Sequence, residues 1–347
     1  MKRFRTAAAV VVASALTHTA AAQSGPTGAA CDRSCLLGIA DAYVAALVAH
    51  DPSKAPLATP LTTAVTFTEQ TRVLTIGEGL WKTVTEGPSG FKLTVPDPVA
   101  GQIGMIVMLK ANMPPTPGPA LTAAPPPPEP PGPVAVQLAL RLKVQNRRIV
   151  EAEHLVARIT NAGQLANLQT LRPGLLAPVS PAERLPRHLM LMIANAYYDA
   201  IEQSNGEVAP FAADCGRREN GMHTAGAGRP ANAPPGPGGG PPQGCAEQLT
   251  ARAMSYINSI DLRRVFIADE VSGLAFGLTM FRHPMEEKFV TLLNPDGSTT
   301  QRPMNFNPFD LEAAHIFKIR GGRIHEIEAM GFVLPLYSKN GWTPFTR

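Results

Sequence analysis

The chain has 347 residues with a formal net charge of +4. That length suits two domains of ordinary size. Because the basic excess is small and is concentrated at the N-terminus, the composition gives no support for a nucleic-acid-binding or anionic-membrane-binding protein.

The N-terminus has the pattern of a secretory signal peptide. The basic residues 1–5 are followed by an apolar run over 6–16 and by a small-residue cleavage site at 20–22. That run is too short to span a bilayer comfortably. Its removal takes three of the 31 basic residues and none of the 27 acidic ones, leaving a net charge of +1. We therefore expect 1–22 to be a signal peptide and the mature protein to be secreted or periplasmic, with an N-terminal anchor as the alternative.

The sequence after the predicted signal peptide contains four cysteines. An even count in an exported chain favours disulfides, and four cysteines allow three pairings. We favour Cys215–Cys245, because the stretch between them is rich in Gly and Pro. That leaves Cys31–Cys35 as a tight loop, which requires Cys31 to lie outside the following helix. A metal site is the alternative, but Cys-x3-Cys with two distant cysteines supports it weakly, and we expect none.

Apolar residues at helical spacing predict helices over 35–50 and 189–203. Asp51-Pro52 ends the first helix and Asn205-Gly206 the second. We match these two helices by aligning Tyr43 with Tyr198. The following residues then place Glu69 opposite Glu219.

A segment of the predicted sheet occurs twice. Residues 142–153 return as 317–328 at an offset of 175 without a gap, and each copy reads as strand, polar turn, strand. Residues 91–110 likewise match 265–282. Repeats so far apart indicate two copies of a whole domain rather than a solenoid. The fold class we predict is therefore α+β, with an antiparallel sheet in each of two tandem domains.

The predicted domains have the following bounds. The first domain covers 31–160 and includes a Pro-rich loop at 114–133; the linker is 161–184; the second domain covers 185–337 and includes a Gly/Pro-rich loop at 225–244. Both loops are interpreted as solvated surface loops, with a lid over a pocket as the alternative.

Several of these features together resemble the nuclear transport factor 2-like, or SnoaL-like, superfamily. They are the first helix with its tyrosine, the Asp51-Pro52 stop, Thr68-Glu69-Gln70, the run Gly77–Lys82 and the closing hairpins with their Gly-Gly-Arg-Ile turn. Cys31–Cys35 before that helix resembles exported bacterial and fungal members with no settled activity. The resemblance covers 31–160 and 185–337.

The resemblance implies two tandem cone-shaped α+β barrels, each a curved antiparallel sheet wrapped around helices and an apolar pocket. Similar folds host isomerases, dehydratases, epoxide hydrolases and polyketide cyclases, and others only bind ligands or proteins. A fold alone does not choose between these. We expect acid–base chemistry without a cofactor on a hydrophobic, aromatic small molecule, as a lyase, isomerase or hydrolase. A non-catalytic periplasmic ligand-binding or protein-interaction module is the alternative.

The candidate catalytic residues are Glu69, Glu219 and His223. A carboxyl group in a dry pocket can hold or take a proton near neutral pH, and Glu219 with His223 would form an acid–base pair in the second domain. The ordinary alternatives are surface ion pairs for the glutamates and a solvent-exposed loop histidine. We expect the second domain to be the active one and the first to be its structural partner, packed against it.

The candidate substrate-binding residues line the same expected pockets. They are Tyr43, Tyr197, Tyr198, Trp81, Asn220 and Glu328. The alternative for the tyrosines and the tryptophan is core packing. Glu328 shares the parity of Glu326 and Ile324 on the last strand, so it faces either the pocket or solvent.

Several chemical signatures are absent from the sequence. It contains no Gly-x-Ser-x-Gly elbow, P-loop, dinucleotide-binding glycine motif or His-Glu-x-x-His. This argues against a classical serine hydrolase, a nucleotide-dependent enzyme and a zincin. Two or more titratable side chains in one enclosed pocket would favour catalysis over simple binding.

Overall fold

The first part of the chain folds into a curled sheet behind a long helix. The computed structural model describes residues 31–114, 132–226 and 243–342; the predicted signal peptide and most of both predicted loops lie outside them. We call residues 31–159 the N-terminal unit. Its elements are the helices α1 (Arg33–Val48), α2 (Leu61–Ala64) and α3 (Leu80–Thr83), and the strands β1 (Thr66–Glu69), β2 (Arg72–Leu74), β3 (Val84–Glu86), β4 (Lys92–Asp97), β5 (Gln102–Ala111), β6 (Val134–Gln145) and β7 (Arg148–Ile159).

The remainder of the chain begins with a short connection and then repeats that plan. The connection contains α4 (Ala162–Asn167) and α5 (Pro173–Leu176). We call residues 185–337 the C-terminal unit. Its elements are α6 (Arg187–Glu202), α7 (Cys245–Thr250), β8 (Phe211–Glu219), β9 (Met222–Gly226), β10 (Ser259–Asp269), β11 (Leu274–His283), β12 (Phe289–Leu293), β13 (Thr299–Pro303), β14 (Phe309–Arg320) and β15 (Arg323–Leu334).

The two main sheets share their strand order. In the N-terminal unit the order is β2-β1-β7-β6-β5-β3, with β4 also paired to β5; in the C-terminal unit it is β10-β11-β14-β15-β8-β9. Within each sheet one pair is parallel, β1 with β7 and β8 with β15, and the other pairs are antiparallel. The strands β12 and β13 form a separate hairpin. The fold is thus α+β with curled half-barrel sheets, which confirms the predicted class.

The helices α1 and α6 correspond with an offset one residue shorter than the one we predicted. Both are 16 residues long, and each is followed by a residue in the left-handed region, His50 and Ser204. These ends place Tyr43 opposite Tyr197, so the predicted match of Tyr43 with Tyr198 was wrong. Two adjacent tyrosines in the second helix made the sequence ambiguous at this point.

The duplicated hairpins contain the same irregularity. Lys143 pairs with Glu151 while Val144 pairs with Ile149, so one residue of β7 is left over; β14 and β15 repeat this register 175 residues later. Such a β-bulge reverses which face the following side chains occupy. Ile149 is therefore buried in the core of its unit, whereas Glu151 points to the opposite face.

The apolar core is divided into two interiors and a shared layer. One cluster fills the N-terminal unit around Tyr43 and Trp81, and another fills the C-terminal unit around Tyr197 and Phe317. A third cluster combines residues from both sheets, among them Phe91, Leu93 and Ile106 with Ile267, Phe276 and Ile316. Each such side chain contributes roughly 1.5–3 kcal/mol when fully buried, so the shared layer is a substantial part of the core.

Charged contacts surround the shared layer. Arg264 donates to both carboxylate oxygens of Glu153 at 2.6 Å, and Arg33 pairs with Asp269 at 2.8 Å. Hydrogen bonds also fix the connection to the C-terminal sheet. The Lys318 ammonium donates to the carbonyl oxygen of Ala177 and, at 2.7 Å, to that of Ser272.

Candidate functional site

A cavity of about 500 Å³, partly open to solvent, lies in the C-terminal unit between the main sheet and the residues that follow α7. Its wall is largely apolar and aromatic. The residues that line it include Tyr197, Glu219, Asn220, Tyr256, Phe281, His283, Phe309, Ala313, His315, Ala329 and Gly331. Enclosed apolar sites with a few convergent polar groups are the usual form of small-molecule sites.

Small side chains on β14 and β15 create the space. Ala313 pairs with Gly331, and His315 pairs with Ala329. At the corresponding positions of the N-terminal unit, Leu138 pairs with Val156 and Leu140 with His154. Leucine, valine and histidine are thus replaced by alanine, glycine and alanine in the wall of the cavity.

The cavity's carboxylate is held by a buried arginine. Arg217 is 1% exposed, and its Nε lies 2.8 Å from Glu219 Oε1. Thr224 Oγ1 is 3.2 Å from the same oxygen, and the Arg217 guanidinium also donates to Gln248 Oε1. The two opposite charges cancel inside the unit, since a buried charge has to be paired.

Two neutral imidazoles face the same space. Burial, together with the positive charge of Arg217, lowers the pKa of His315 to about 3. Burial lowers the pKa of His283 to about 4, and its ring stacks on Phe309 with the centroids 4.1 Å apart. In neither ring does Nδ1 have a hydrogen-bond partner among the described residues. Both rings are therefore uncharged at neutral pH.

Two phenol groups complete the polar lining. Burial raises the pKa of Tyr197 to about 12 and that of Tyr256 to about 12, so both hydroxyls keep their protons at neutral pH. Arg217 Nη1 lies 3.4 Å from the Tyr197 hydroxyl. Tyr198 is fully buried but does not line this cavity; Arg263 lies over its ring instead, 5.5 Å from the centroid.

The interior of the N-terminal unit is filled at the equivalent place. The Tyr43 hydroxyl lies 2.9 Å from His154 Nε2, and His154 Nδ1 lies 3.1 Å from Glu69 Oε2. The backbone N–H of Leu80 donates to both oxygens of Glu69. Trp81 packs edge-on against Tyr43 with ring centroids 5.2 Å apart. Tyr43, Trp81 and Glu69, which were predicted as site residues, are therefore brought together in a packed core.

Asn220 is adjacent to the cavity, but its amide is committed to the backbone. It donates to the Gly331 carbonyl and accepts from the Gly331 N–H, both at 2.9 Å. Gln70 makes the same pair of bonds to Val156 in the N-terminal unit, both at 2.8 Å. Asn220 thus positions the β15 backbone at the cavity wall, rather than offering its amide to a ligand.

Glu328 is not placed in the cavity, contrary to our expectation. It is fully buried on the other face of β15, and its Oε2 lies 2.9 Å from Arg172 Nη1. Burial raises its pKa to about 7, despite the opposing effect of Arg172. The parity argument that grouped it with Ile324 failed because the β-bulge lies between them.

His223 and Glu219 do not meet as an acid–base pair in the cavity. His223 pairs through its backbone with Arg218, and Glu219 with Met222. Side chains of neighbouring residues on a strand point to opposite faces, so His223 lies on the face away from Glu219. His223 is not among the residues that line the cavity.

Both predicted disulfides are present. Cys31 is bonded to Cys35 and Cys215 to Cys245. Cys31 precedes the first residue of α1, as that tight loop requires. The second disulfide joins β8 to α7, and thus fixes the strand that holds Arg217 against the helix that holds Gln248.

Arg217, Tyr256 and His315 belong to no sequence motif, and the sequence analysis did not predict them as site residues. The signal lay in the differences between the repeats. Arg217 stands where the N-terminal unit has Phe67, and His315 stands where it has Leu140, at the same registers. A polar residue at a position that is apolar in the other copy marks a place where the interior has changed.

The described residues contain neither a candidate membrane-spanning helix nor a candidate metal-binding cluster. No helix among them is long and apolar enough for a membrane span, and no cluster of three or more potential metal-binding side chains occurs in those parts of the chain.

Comparison with known proteins gives low-identity similarity over parts of the chain. A family model described as a domain of unknown function, DUF8021, matches residues 183–331, less than half of the chain. No curated protein matches the sequence. Three solved structures resemble parts of it: a candidate polyketide cyclase from Silicibacter sp. TM1040 (15% identity, 43% of this chain and 92% of that one, TM-score 0.27), PrhC from Penicillium brasilianum (11%, 42% and 82%, 0.24) and a nuclear transport factor 2-like protein from Burkholderia thailandensis (14%, 42% and 89%, 0.21). The function has to be argued from the cavity itself.

Proposed function

We propose that the C-terminal unit binds a neutral, hydrophobic aromatic compound in its cavity and performs acid–base chemistry on it without a cofactor. The reaction class is elimination, hydration, isomerisation or cleavage of an ether or epoxide. The observation that carries this proposal is the convergence of Glu219, His283 and His315 on one aromatic-lined cavity. At least two titratable groups in one pocket are what catalysis, as opposed to simple binding, requires.

The charge balance of the cavity supports a neutral ligand. Glu219 and Arg217 cancel one another, and low pKa values leave His283 and His315 uncharged. A charged ligand would lose its hydration without gaining an unpaired opposite charge. Aromatic rings in the wall offer edge-to-face and stacked contacts to a flat ligand.

In the proposed reaction, the polar groups that line the cavity transfer protons to and from the substrate. The Glu219 carboxylate accepts a proton from a substrate carbon or oxygen, and Arg217 and Thr224 hold it in one orientation. The protonated Tyr197 hydroxyl donates to a substrate oxygen that gains negative charge. His315 or His283, neutral at rest, accepts or relays the proton. Arg217 is a positioning residue in this scheme, because it acts through Glu219.

The proposal extends to the rest of the chain. The two units are tandem copies of one domain, packed against each other through the shared apolar layer, and the N-terminal copy is the structural partner. The protein is exported, which agrees with its two disulfides.

The test is a thermal-shift screen of neutral aromatic and polycyclic compounds, followed by mass-spectrometric detection of product from each compound that binds. A ligand at a hundred times its Kd stabilises the folded state by about 2.7 kcal/mol. We expect Glu219→Gln to lower turnover at least about a hundredfold, because glutamine cannot take the proton. The matched control is Glu207→Gln, an exposed residue of the same unit, which should keep full turnover. Unchanged turnover in both Glu219→Gln and His315→Leu would contradict the catalytic proposal.

One observation favours binding without catalysis as the second candidate. Glu219 Oε1 already contacts Arg217 and Thr224, and an ion-paired carboxylate is a weaker base. A periplasmic ligand-binding or protein-interaction module would show ligands that raise the melting temperature but remain chemically unchanged after prolonged incubation.

A further inference from the structure

The N-terminal unit contains a side chain that occupies the position of the C-terminal cavity. The His154 imidazole lies between the Tyr43 hydroxyl, 2.9 Å from Nε2, and the Glu69 carboxylate, 3.1 Å from Nδ1. Since a carboxylate accepts and a neutral phenol donates, the tautomer with its hydrogen on Nδ1 satisfies both partners. The imidazole thus accepts a hydrogen bond at Nε2 and donates one from Nδ1.

The C-terminal unit keeps both partners and lacks the ring. Tyr197 is the eleventh residue of α6, as Tyr43 is of α1. Glu69 pairs with His154 in the parallel register of β1 and β7, and Glu219 pairs with Ala329 in that of β8 and β15. Tyr197, Glu219 and Ala329 all line the cavity.

Both partners have hydrogen-bonding capacity left for a ligand. Arg217 can only donate to the Tyr197 oxygen, so the phenol hydrogen itself remains to be donated. The contacts of Glu219 with Arg217 and Thr224 both use Oε1, which leaves Oε2 to accept. The cavity volume, about 500 Å³, exceeds the volume of one imidazole. We therefore expect a ligand larger than a single five-membered ring.

We propose that the ligand of this cavity is a neutral, fused-ring aromatic that replaces the missing imidazole, accepting a hydrogen bond from Tyr197 and donating one to Glu219. Nitrogen heteroaromatics with one N–H and one bare ring nitrogen meet this requirement directly. The inference rests on the proposed function and deepens it by naming the ligand class.

The first experiment compares three probes of nearly equal shape by calorimetry with the full chain. Benzimidazole has the donor and the acceptor, 1-methylbenzimidazole lacks the donor, and indene lacks both. We expect benzimidazole to bind at least about tenfold more tightly than either control, because 1-methylbenzimidazole offers no donor to Glu219 and indene in addition leaves the buried Tyr197 hydroxyl without an acceptor.

The second experiment exchanges the residues between the units. Ala329→His supplies the ring from the protein, so benzimidazole binding should fall at least about tenfold while the melting temperature rises. Ala329→Leu, the matched control, fills the space without hydrogen bonds and should lose binding without that rise. Conversely, His154→Ala should lower the melting temperature, and millimolar imidazole should restore part of the loss, whereas it should not in the wild type.

The outcomes separate the two proposals. Equal binding of benzimidazole and indene would overturn the ligand class while leaving a hydrophobic binding site. Absence of binding by all three probes, with hits of other chemistry in the broad screen, would likewise overturn the ligand class alone. If neither the three probes nor the broad screen gave an aromatic ligand that binds, the proposed function would be overturned as well. If His154→Ala does not fold, the Ala329 variants and the three probes still decide the matter.

Discussion

The two units use the same backbone to build opposite interiors. In the N-terminal unit, His154 closes the space between Tyr43 and Glu69, and Phe67 packs edge-on against its ring. In the C-terminal unit the positions of the ring and of the phenylalanine hold Ala329 and Arg217, and a cavity results. A few side chains on three strands therefore convert a packed core into a site, while the β14–β15 pair keeps the register of β6–β7.

This contrast shows where stability and function are separated. In the N-terminal unit, the Tyr43 hydroxyl and the Glu69 carboxylate both contact the His154 imidazole. The C-terminal unit leaves His283 Nδ1 and His315 Nδ1 without partners among the described residues. Unsatisfied buried groups are costly, so these two nitrogens at the cavity wall are available to a polar group of a ligand.

The largest expected difference between the units concerns their disulfides. The Cys215–Cys245 bond closes a sequence separation of 30 residues, and Cys31–Cys35 closes one of 4. On the chain-entropy estimate, losing the first costs about 3.5 kcal/mol and losing the second about 2 kcal/mol. Denaturant unfolding of the two paired Cys→Ser variants measures this. An equal loss, or a larger one for Cys31–Cys35, would show that loop entropy does not govern the difference.

The next effect is a dependence of stability on pH. His283 and His315 have folded-state pKa values of about 4 and about 3, below the unfolded value near 6.5. The unfolded chain therefore binds more protons as the pH falls through 6.5, and folded-state stability is lost progressively down to the folded pKa values. Each histidine contributes a loss of about 1.6 kcal/mol between pH 6.5 and 5.

Replacement by the residue of the other unit isolates this contribution. His315→Leu introduces the matched Leu140 and should flatten the pH dependence by about that amount in denaturant titrations. The exposed His188 is the control, and His188→Ala should leave the slope unchanged. Glu328, whose raised pKa acts in the opposite direction as the pH rises from about 4.5 to 7, is common to all three proteins. An identical slope in His315→Leu and wild type would contradict the prediction.

The smallest effect compares the two helix tyrosines. Tyr43→Phe removes a short hydrogen bond to His154 and leaves a fully buried imidazole nitrogen unsatisfied, at a cost of about 2 kcal/mol. Tyr197→Phe removes a long contact of 3.4 Å beside the cavity, where we expect a cost below about 1 kcal/mol. Urea midpoints measure both. Equal losses would mean that the Tyr197 hydroxyl is bound as firmly inside the protein as that of Tyr43.

The sequence predicted the elements and the pairing of cysteines because these depend on local patterns. Periodicity located α1 and α6 within two residues, and the 175-residue offset placed both hairpins. The inward or outward direction of Glu328 was beyond such reasoning, because one leftover residue in the bulge at β15 reverses the faces. A bulge has little signature in composition.

The candidate site was only partly predictable for a related reason. Glu219 was found because it aligns with Glu69, and Tyr197 because it lies on the helix matched to the first one. His315, Tyr256 and Arg217 acquire meaning only through burial beside a cavity, and the cavity exists because Ala313, Ala329 and Gly331 are small. Single-sequence reasoning looks for reactive groups and gives no weight to small residues that make room for a ligand.

The apolar layer shared by the two sheets has a consequence for biosynthesis. The N-terminal unit leaves the ribosome first, with Phe91, Leu93 and Ile106 on a face that the second sheet has yet to cover. Until Ile267 and Phe276 have been synthesised and packed against it, that face is an exposed apolar surface that chaperones or other nascent chains can bind. Production of the N-terminal unit alone is therefore expected to yield an aggregation-prone fragment, although its own interior is complete.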